Sequence, residues 1–263
     1  MASSFWNGDF YFNNKYSGLY NVCIVDFNNS EIVKQIGGSH TITTEKETSY
    51  NNQSFYKEKE HNSDNIVIQL AKTDRKAWNI NEIKNINDWL FEENFCKFQP
   101  TDFDDQNNIV YYLKAIDMKK FLTTKLEGYL EITFQSYDGY AYIIPSYSTT
   151  ISVNEIKKIT NPSNVKKKYL PKIKITSETI SIEEEVVIKN TTNGDILTLK
   201  GMNNKEVFII DCAIGSVVNF ENNINRFSIL QDYNFIGLEK GDNYIQVTGN
   251  ATIEFICEYP IMI

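Results

Sequence analysis

The 263-residue chain has only two histidines, four dispersed cysteines and no surplus of basic charge. With 26 Lys and Arg against 34 Asp and Glu, the formal net charge is −8. A surface that grips nucleic acid needs clustered Lys and Arg to neutralise phosphates, so this balance argues against one. It does not argue against a surface that DNA slides past. No Cys pair has the two-residue spacing of a zinc site, and no Cys/His cluster occurs. Cys23, Cys96, Cys212 and Cys257 each sit in or beside an apolar run, where a small buried thiol is the default. A disulfide pair has no support in the spacing, and a cytosolic origin fits equally well.

Long apolar runs are also missing. No stretch approaches the ~20 residues of a membrane helix. The opening MASSFWNGDF lacks a basic segment followed by an apolar run, so no signal peptide is expected. There is no nucleophile elbow, Walker loop, dinucleotide fingerprint or paired-His zinc motif. No carboxylate pair stands out for glycoside hydrolysis. Catalytic, cofactor and metal residues are therefore expected to be none. Asp102, Asp104 and Asp105 look like part of a calcium loop, but the glycine and terminal Glu are absent, and a solvated turn is the simpler reading. The run Glu183–Glu185 reads as a solvated strand end.

What is present is strand pattern with one helix. Over 79–91, Ile80, Ile83, Ile86, Trp89 and Leu90 recur at three- and four-residue spacing and fall on one helical face. Asn79 and Glu82 have capping-box spacing, and Asn87 and Asp88 face away. One apolar stripe needs one sheet face to bury it, so the helix is expected to plug a sheet. A turn at Asn13–Asn14 follows an aromatic strand from Phe10. Asn21–Phe27 reads as a buried strand, Asn65–Ala71 as an alternating one, and Ile109–Ile116 and Gly128–Gln135 as two more.

Residues 39–63 are polar, charged and too long for a simple loop. Thr41, Ile42, Thr43, Thr44, Phe55 and Tyr56 have β propensity, so this stretch is either an arm or a projecting hairpin. His40 and His61 bracket it without ligand-spaced partners, which disfavours a metal site. A domain boundary is expected near residue 150, giving domains 1–150 and 151–263. Past it no helical period survives. Short strands are expected at Lys172–Thr176, Thr179–Ile182, Val186–Lys189, Ile196–Lys200, Glu206–Asp211, Ser216–Phe220, Phe227–Leu230, Asn243–Thr248 and Thr252–Tyr259. Polar turns separate them, the pattern of a sandwich or jelly roll. Tryptophan is absent from this half. Of its aromatics, Tyr169, Phe208, Phe220, Phe227, Tyr233, Phe235, Tyr244, Phe255 and Tyr259, most sit at inward positions of strands.

Three segments together resemble the distal tail protein family of long-tailed bacteriophages. FYFNNKY (10–16) is similar to that family's F-x-F-N-G-K opening. The helix ends in Asp88-Trp89-Leu90, as the family's does. Phe134–Tyr142 is similar to F-x-C-x-x-P-Y-A-Y, with Ser136 at the usual Cys and Asp138-Gly139 in the proline region. Asn161–Ile175, Val207–Asp211 and Leu238–Gly249 resemble the family's second domain, with Asn161-Pro162-Ser163-Asn164 replacing an Asn-x-Gly turn. The resemblance covers nearly the whole chain.

It implies a mainly β protein: an N-terminal β-barrel-like, tail-tube-like domain with one α-helix, then a galectin-like β-sandwich. It implies a non-enzymatic hub of the tail tip or baseplate. Six copies would form a ring joining the tail tube protein to the tip hub and host-adsorption apparatus, with receptor-binding proteins as further partners. DNA would only pass through the lumen, and no membrane would be involved. The location would be the distal end of the virion tail, after synthesis in the host bacterial cytoplasm. Within that frame His40, Thr41, Ile42, Thr43, Phe55, Tyr56 and His61 mark a candidate inter-subunit arm, and the acidic residues at 102–105 a lumen or hub face. A carbohydrate-binding adhesion module is the alternative, from the sandwich half. A cell-wall hydrolase ranks below it for lack of a nucleophile or metal set.

Overall fold

The computed structural model describes residues 8–25, 40–46, 54–61, 65–101, 108–145, 149–152, 155–178 and 180–262. Contacts divide the chain into two compact units, Met1–Tyr142 with Met262–Ile263, and Ile143–Ile261. The fold is mainly β, with one α-helix among the described residues.

The first unit contains β1 (Phe10–Phe12), β2 (Lys15–Tyr16), β3 (Val22–Val25), β4 (His40–Lys46), β5 (Ser54–His61), β6 (Asn65–Lys72), α1 (Ile80–Leu90), β7 (Cys96–Pro100), β8 (Asn108–Leu122) and β9 (Gly128–Ile144). Seven strands lie along one path, β2-β1-β7-β8-β9-β6-β3. The path does not close as a continuous barrel. Among the described residues one isolated bridge spans the gap, where Gly8, just before β1, and Ile24 of β3 exchange backbone hydrogen bonds of 3.3 and 2.9 Å. Asn13 and Asn14 both have positive φ (49° and 60°), the conformation a two-residue hairpin turn requires and asparagine tolerates.

The helix holds this unit together through two tryptophans. Trp89 is buried and stacks on Tyr20 (centroids 4.1 Å apart) and on Phe10 (5.5 Å), and its indole N–H donates to the Phe12 carbonyl at 3.0 Å. Phe12 and Phe98 in turn meet Phe134 at 5.6 and 6.2 Å, so the aromatic core runs from helix to sheet. Before the helix, Trp78 donates its backbone N–H to Leu126 and its indole N–H to the Gly128 carbonyl. Gly128 is required at that turn. Its φ is +143°, and a Cβ would lie 2.0 Å from the Phe121 carbonyl oxygen.

The capping box forms: Asn79 Oδ1 accepts from the Asn81 amide, and Glu82 accepts from the Asn79 amide at 2.8 Å. Glu82 also receives the Lys72 ammonium at 3.0 Å, tying β6 to the helix start. These donors hold its carboxyl below the ordinary range, the Asn79 amide contributing most.

Two expectations for this unit change. Ile80, placed on the apolar face, is 75% exposed because it lies one turn before the first buried position, Ile83. β8 and β9 run well past residues 116 and 135. Cross-strand pairs stabilise the extension at its turn end: Phe121 stacks on Tyr129 at 4.9 Å, and Lys119 meets Glu131 at 3.6 Å.

The second unit is a two-sheet sandwich. Its sandwich strands are β10 (Thr149–Ile151), β11 (Ile156–Asn161), β12 (Lys172–Ser177), β13 (Glu185–Asn190), β14 (Ile196–Lys200), β15 (Val207–Asp211), β16 (Ser216–Asn219), β17 (Gly241–Thr248) and β18 (Ala251–Ile256); β19 (Tyr259–Ile261) follows and joins neither of the two sheets. One sheet has the order β10-β18-β12-β15-β16, the other β11-β17-β13-β14. Ile173, Phe208 and Phe255 from the first share a core with Ile188, Leu197 and Val247 from the second. Buried asparagines close the end. Asn190 donates to the Gly237 carbonyl and to Asn243 Oδ1, while Asn161 donates to the Leu238 carbonyl.

Three strand expectations in this unit fail. Ile180–Ile182 carries no strand, and Thr179 lies outside the described residues. Phe227–Ile229 is a 3-10 turn, started by an Asn225 side chain that accepts the Phe227 amide. The run 252–259 breaks after Ile256. β10 and β11 went unpredicted, being short and rich in Thr and Lys.

Glu206 and Arg226 form a two-pronged ion pair, with Nε to Oε1 at 2.7 Å and Nη2 to Oε2 at 2.9 Å. Burial pushes the Glu206 carboxyl up, but Arg226, Asn203 and Asn219 more than offset this and leave it below its ordinary value. The pair's contribution is therefore full above the unfolded carboxyl pKa of about 4.3 and is lost as pH falls through the lower folded value. Thermal unfolding of Glu206→Gln is expected to lie below wild type at pH 7, with the gap narrowing as pH falls below the ordinary carboxylate range. A gap that persists undiminished at pH 3 contradicts this assignment. For the helix, urea unfolding should show a loss of about 1 kcal/mol for Asn79→Ala and about 3–5 kcal/mol for Trp89→Ala.

Candidate functional site

The candidate arm residues fall on a hairpin. β4 and β5 pair antiparallel, with His40 opposite His61, Thr41 opposite Glu60, Ile42 opposite Lys59 and Thr43 opposite Glu58. The register then shifts, so that Thr44 lies opposite Tyr56 and Glu45 opposite Phe55. Lys57 is the extra residue of this bulge, which bends the ribbon and increases its twist. Among the described residues the hairpin pairs with no third strand. All seven predicted arm positions lie on it, and the two histidine positions form its base pair. A two-stranded ribbon is at best marginally stable in water, so this element needs a surface to lie against.

Two other strand edges are shielded. At β14, the Gln231 amide donates to the Thr198 carbonyl and Leu199 bridges Leu230. At β16, Val218 bridges Asn225 and the Arg226 amide donates to the Val217 carbonyl.

Exposed apolar side chains gather at two further places. In the first unit the exposed Ile80 faces a half-buried Met118 across a groove between α1 and β8. In the second, Phe227 and Tyr233 stack at 5.3 Å and 21°, and Tyr233 is 71% exposed. Phe220 and Tyr244 are exposed too, whereas Phe208, Phe255 and Tyr259 are in the core. Sequence periodicity did not separate these two groups, because Phe220, Phe227 and Tyr233 sit in or beside turns and Tyr244 takes an outward strand position.

Little in the described residues suggests reaction chemistry. No group of three or more His, Cys, Asp or Glu is placed to hold a metal ion among them. The four cysteines are free thiols. Burial pushes the Cys212 thiol up to about 12 and Cys257 to about 11, so both stay protonated and inert. Asp102, Asp104 and Asp105 lie outside the described residues. No helix of the described residues is long and apolar enough to cross a membrane.

Comparison with known proteins agrees with this architecture. Residues 5–137 match the family model described as a phage tail protein N-terminal domain, and residues 140–257 match one described as a phage tail C-terminal domain. The fold is similar to the crystal structure of the Dit protein of phage SPP1, described as a paradigm of the hub adsorption apparatus in phages infecting Gram-positive hosts. The TM-score is 0.67 at 12% identity, covering 95% of this chain and 98% of that one. It is also similar to chains of the phage p2 baseplate in its activated conformation. With Sr the TM-score is 0.54 at 12% identity, covering 94% and 97%. With Ca it is 0.52 at 11%, covering 91% and 90%. No curated protein sequence matches.

Whether the hairpin contributes to the stability of its own subunit has a direct readout. Removing residues 40–61 and joining the ends with a short Gly/Ser linker is expected to leave the thermal midpoint within a few degrees of wild type, since no other strand among the described residues pairs with the ribbon. A collapse of the midpoint would mean that the hairpin belongs to the core of its own subunit.

Proposed function

The chain belongs to this phage tail protein family, and from that premise we propose that it is the distal-tail hub: a non-enzymatic ring of six copies between the tail tube and the tail tip. The observation that supports the reading is likeness along nearly the full length, 95% of this chain against 98% of the SPP1 Dit protein. In this reading the first unit, tail-tube-like, builds the ring, and the second, galectin-like, decorates its outside. The domain boundary lies near residue 150. The tail tube protein and a tip hub are the axial partners, receptor-binding proteins attach at the periphery, and DNA passes through an acidic lumen without being held. The chain is made in the host bacterial cytoplasm and ends in the virion.

The hairpin β4–β5 is the inter-subunit arm, with His40, Thr41, Ile42, Thr43, Phe55, Tyr56 and His61 as its contact positions. Ring closure needs heterologous contacts that repeat by rotation, and a ribbon that projects from one subunit supplies one half of such a contact. The stacked pair Phe227–Tyr233 favours a second reading, a carbohydrate-binding surface on the outer unit, since sugar rings stack on exposed aromatic faces.

Light scattering of the full chain, with negative-stain imaging, tests the main reading. Six-fold rings with an open centre are expected, and the chain lacking 40–61 should remain monomeric. Rings that form normally without the hairpin would refute the arm assignment. For the second reading, binding of host cell-wall polysaccharide that Tyr233→Ala abolishes would favour sugar recognition; binding unaffected by Tyr233→Ala, or none, would remove it.

A further inference from the structure

The ribbon β4–β5 sorts its charged residues by face. Successive residues of a strand alternate between the two faces, and directly opposed residues share one. The register therefore puts four rows on one face: His40 with His61, Ile42 with Lys59, Thr44 with Tyr56, and Lys46 with Ser54. The rows Thr41 with Glu60, Thr43 with Glu58, and Glu45 with Phe55 fall on the other. Lys46 and Lys59 make the first face basic, and its rows hold no acid. Glu45, Glu58 and Glu60 make the second face acidic, and its rows hold no base. Lys57, the extra residue of the bulge, belongs to neither set of rows.

This sorting does not serve the ribbon itself. Opposite charges that face each other across two strands stabilise a sheet. No row of this ribbon sets an acid against a base. Glu58 and Glu60 instead share a face at two-residue spacing, where like charges repel. Each face is left with one sign of charge for a surface outside the ribbon. Each also carries apolar residues, Ile42 and Tyr56 on the basic face and Phe55 on the acidic one. A second copy of the chain offers the complement. Two copies that met through the same face would set lysine against lysine or glutamate against glutamate, and repulsion disfavours both. The basic face on the acidic face brings opposite signs together. Because the two faces differ, that contact is heterologous. It repeats in one sense around a ring or along a filament and does not close as a two-fold pair.

We propose that the basic face of β4–β5 in one copy docks on the acidic face of the same ribbon in a second copy. The proposal rests on the reading of this hairpin as the inter-subunit arm and deepens it by naming the surface the arm meets. It sets the direction of assembly but not the number of copies, so it does not depend on a ring of six.

The test uses the full chain at pH 8, where histidine is neutral, in about 50 mM salt. One variant carries Lys46→Glu and Lys59→Glu, so that both faces are acidic. The other carries Glu45→Lys, Glu58→Lys and Glu60→Lys, so that both are basic. Sedimentation velocity is expected to show association of the wild type at or below about 100 µM. Each variant alone should associate at least about tenfold more weakly, and an equimolar mixture of the two should regain association, since each then meets the opposite sign. Lys46→Gln with Lys59→Gln should weaken association less than the reversal does. Thermal midpoints within a few degrees of wild type separate a lost contact from a lost fold, because the ribbon pairs with no third strand among the described residues. Association that ignores both reversals, folded variants whose mixture stays monomeric, or a wild type that is monomeric at about 100 µM overturns the proposal. Six-fold rings that survive both reversals would sink this contact and leave the hub reading in place. Association that is lost in each variant and regained on mixing, but closes at another number, would keep the contact and count against a ring of six.

Discussion

The first unit depends on a single side chain, Trp89. An indole in a core supplies large apolar area but carries one N–H that must be satisfied. Here the donor meets the Phe12 carbonyl, and the ring is sandwiched between Tyr20 and Phe10. That arrangement fixes the end of α1 to β1. The opposite end is fixed by Trp78 and by the double use of Glu82, which caps the helix and neutralises Lys72. A helix pinned at both ends can cover a sheet whose strand path closes only through the Gly8–Ile24 bridge. An eleven-residue helix would be marginal alone; packing and the capping box hold it in place.

The second unit solves a different problem. Its two sheets share an apolar core, and the strand turns at one end must still satisfy buried backbone carbonyls. Asn161, Asn190 and Asn243 do this, each amide using both its donor and acceptor sides. Asparagine suits the task because it carries both functions without a charge to desolvate. The abundance of asparagine in the sequence, readable as a coding bias, thus includes positions with a structural purpose.

Much of this was legible in the sequence. The helix, its capping box and the Asn13–Asn14 turn follow from local chemistry, and the structure places them where the pattern does. The long reach of β8 and β9 was not legible, since DMKKFL and SYDGYAYII carry turn-like residues and no clear alternation. Pairing across the hairpin, including Phe121 with Tyr129, decides their state, and pairing is non-local. Ile80 was misplaced for a related reason: periodicity gives a face but not where the covering sheet stops. At the candidate arm the β propensity of Thr41–Thr44 and Phe55–Tyr56 pointed to a hairpin, but only the backbone gives the register that sets His40 opposite His61. Which aromatics of the second unit are exposed was equally out of reach, because Phe220 and Tyr233 occupy turn regions where alternation carries no meaning.

Strand edges give the strongest link between this fold and assembly. An exposed edge is a template for pairing with another chain, and monomeric β proteins blunt it. This chain blunts β14 with Leu230 and Gln231, β16 with Asn225 and Arg226, and bridges β3 at Ile24 to Gly8, just before β1. The short edge strand β11 carries Lys157 and Lys158. Against that background the β4–β5 ribbon stands out, since it leaves both its edges without a strand partner among the described residues. A chain under pressure only to stay monomeric would shorten or cover such a ribbon. Keeping it, with a bulge that bends it, while covering the edges at β14 and β16, leaves pairing capacity in this ribbon. That is the condition for association with one neighbour in one orientation, which a ring of identical subunits requires and an aggregate does not.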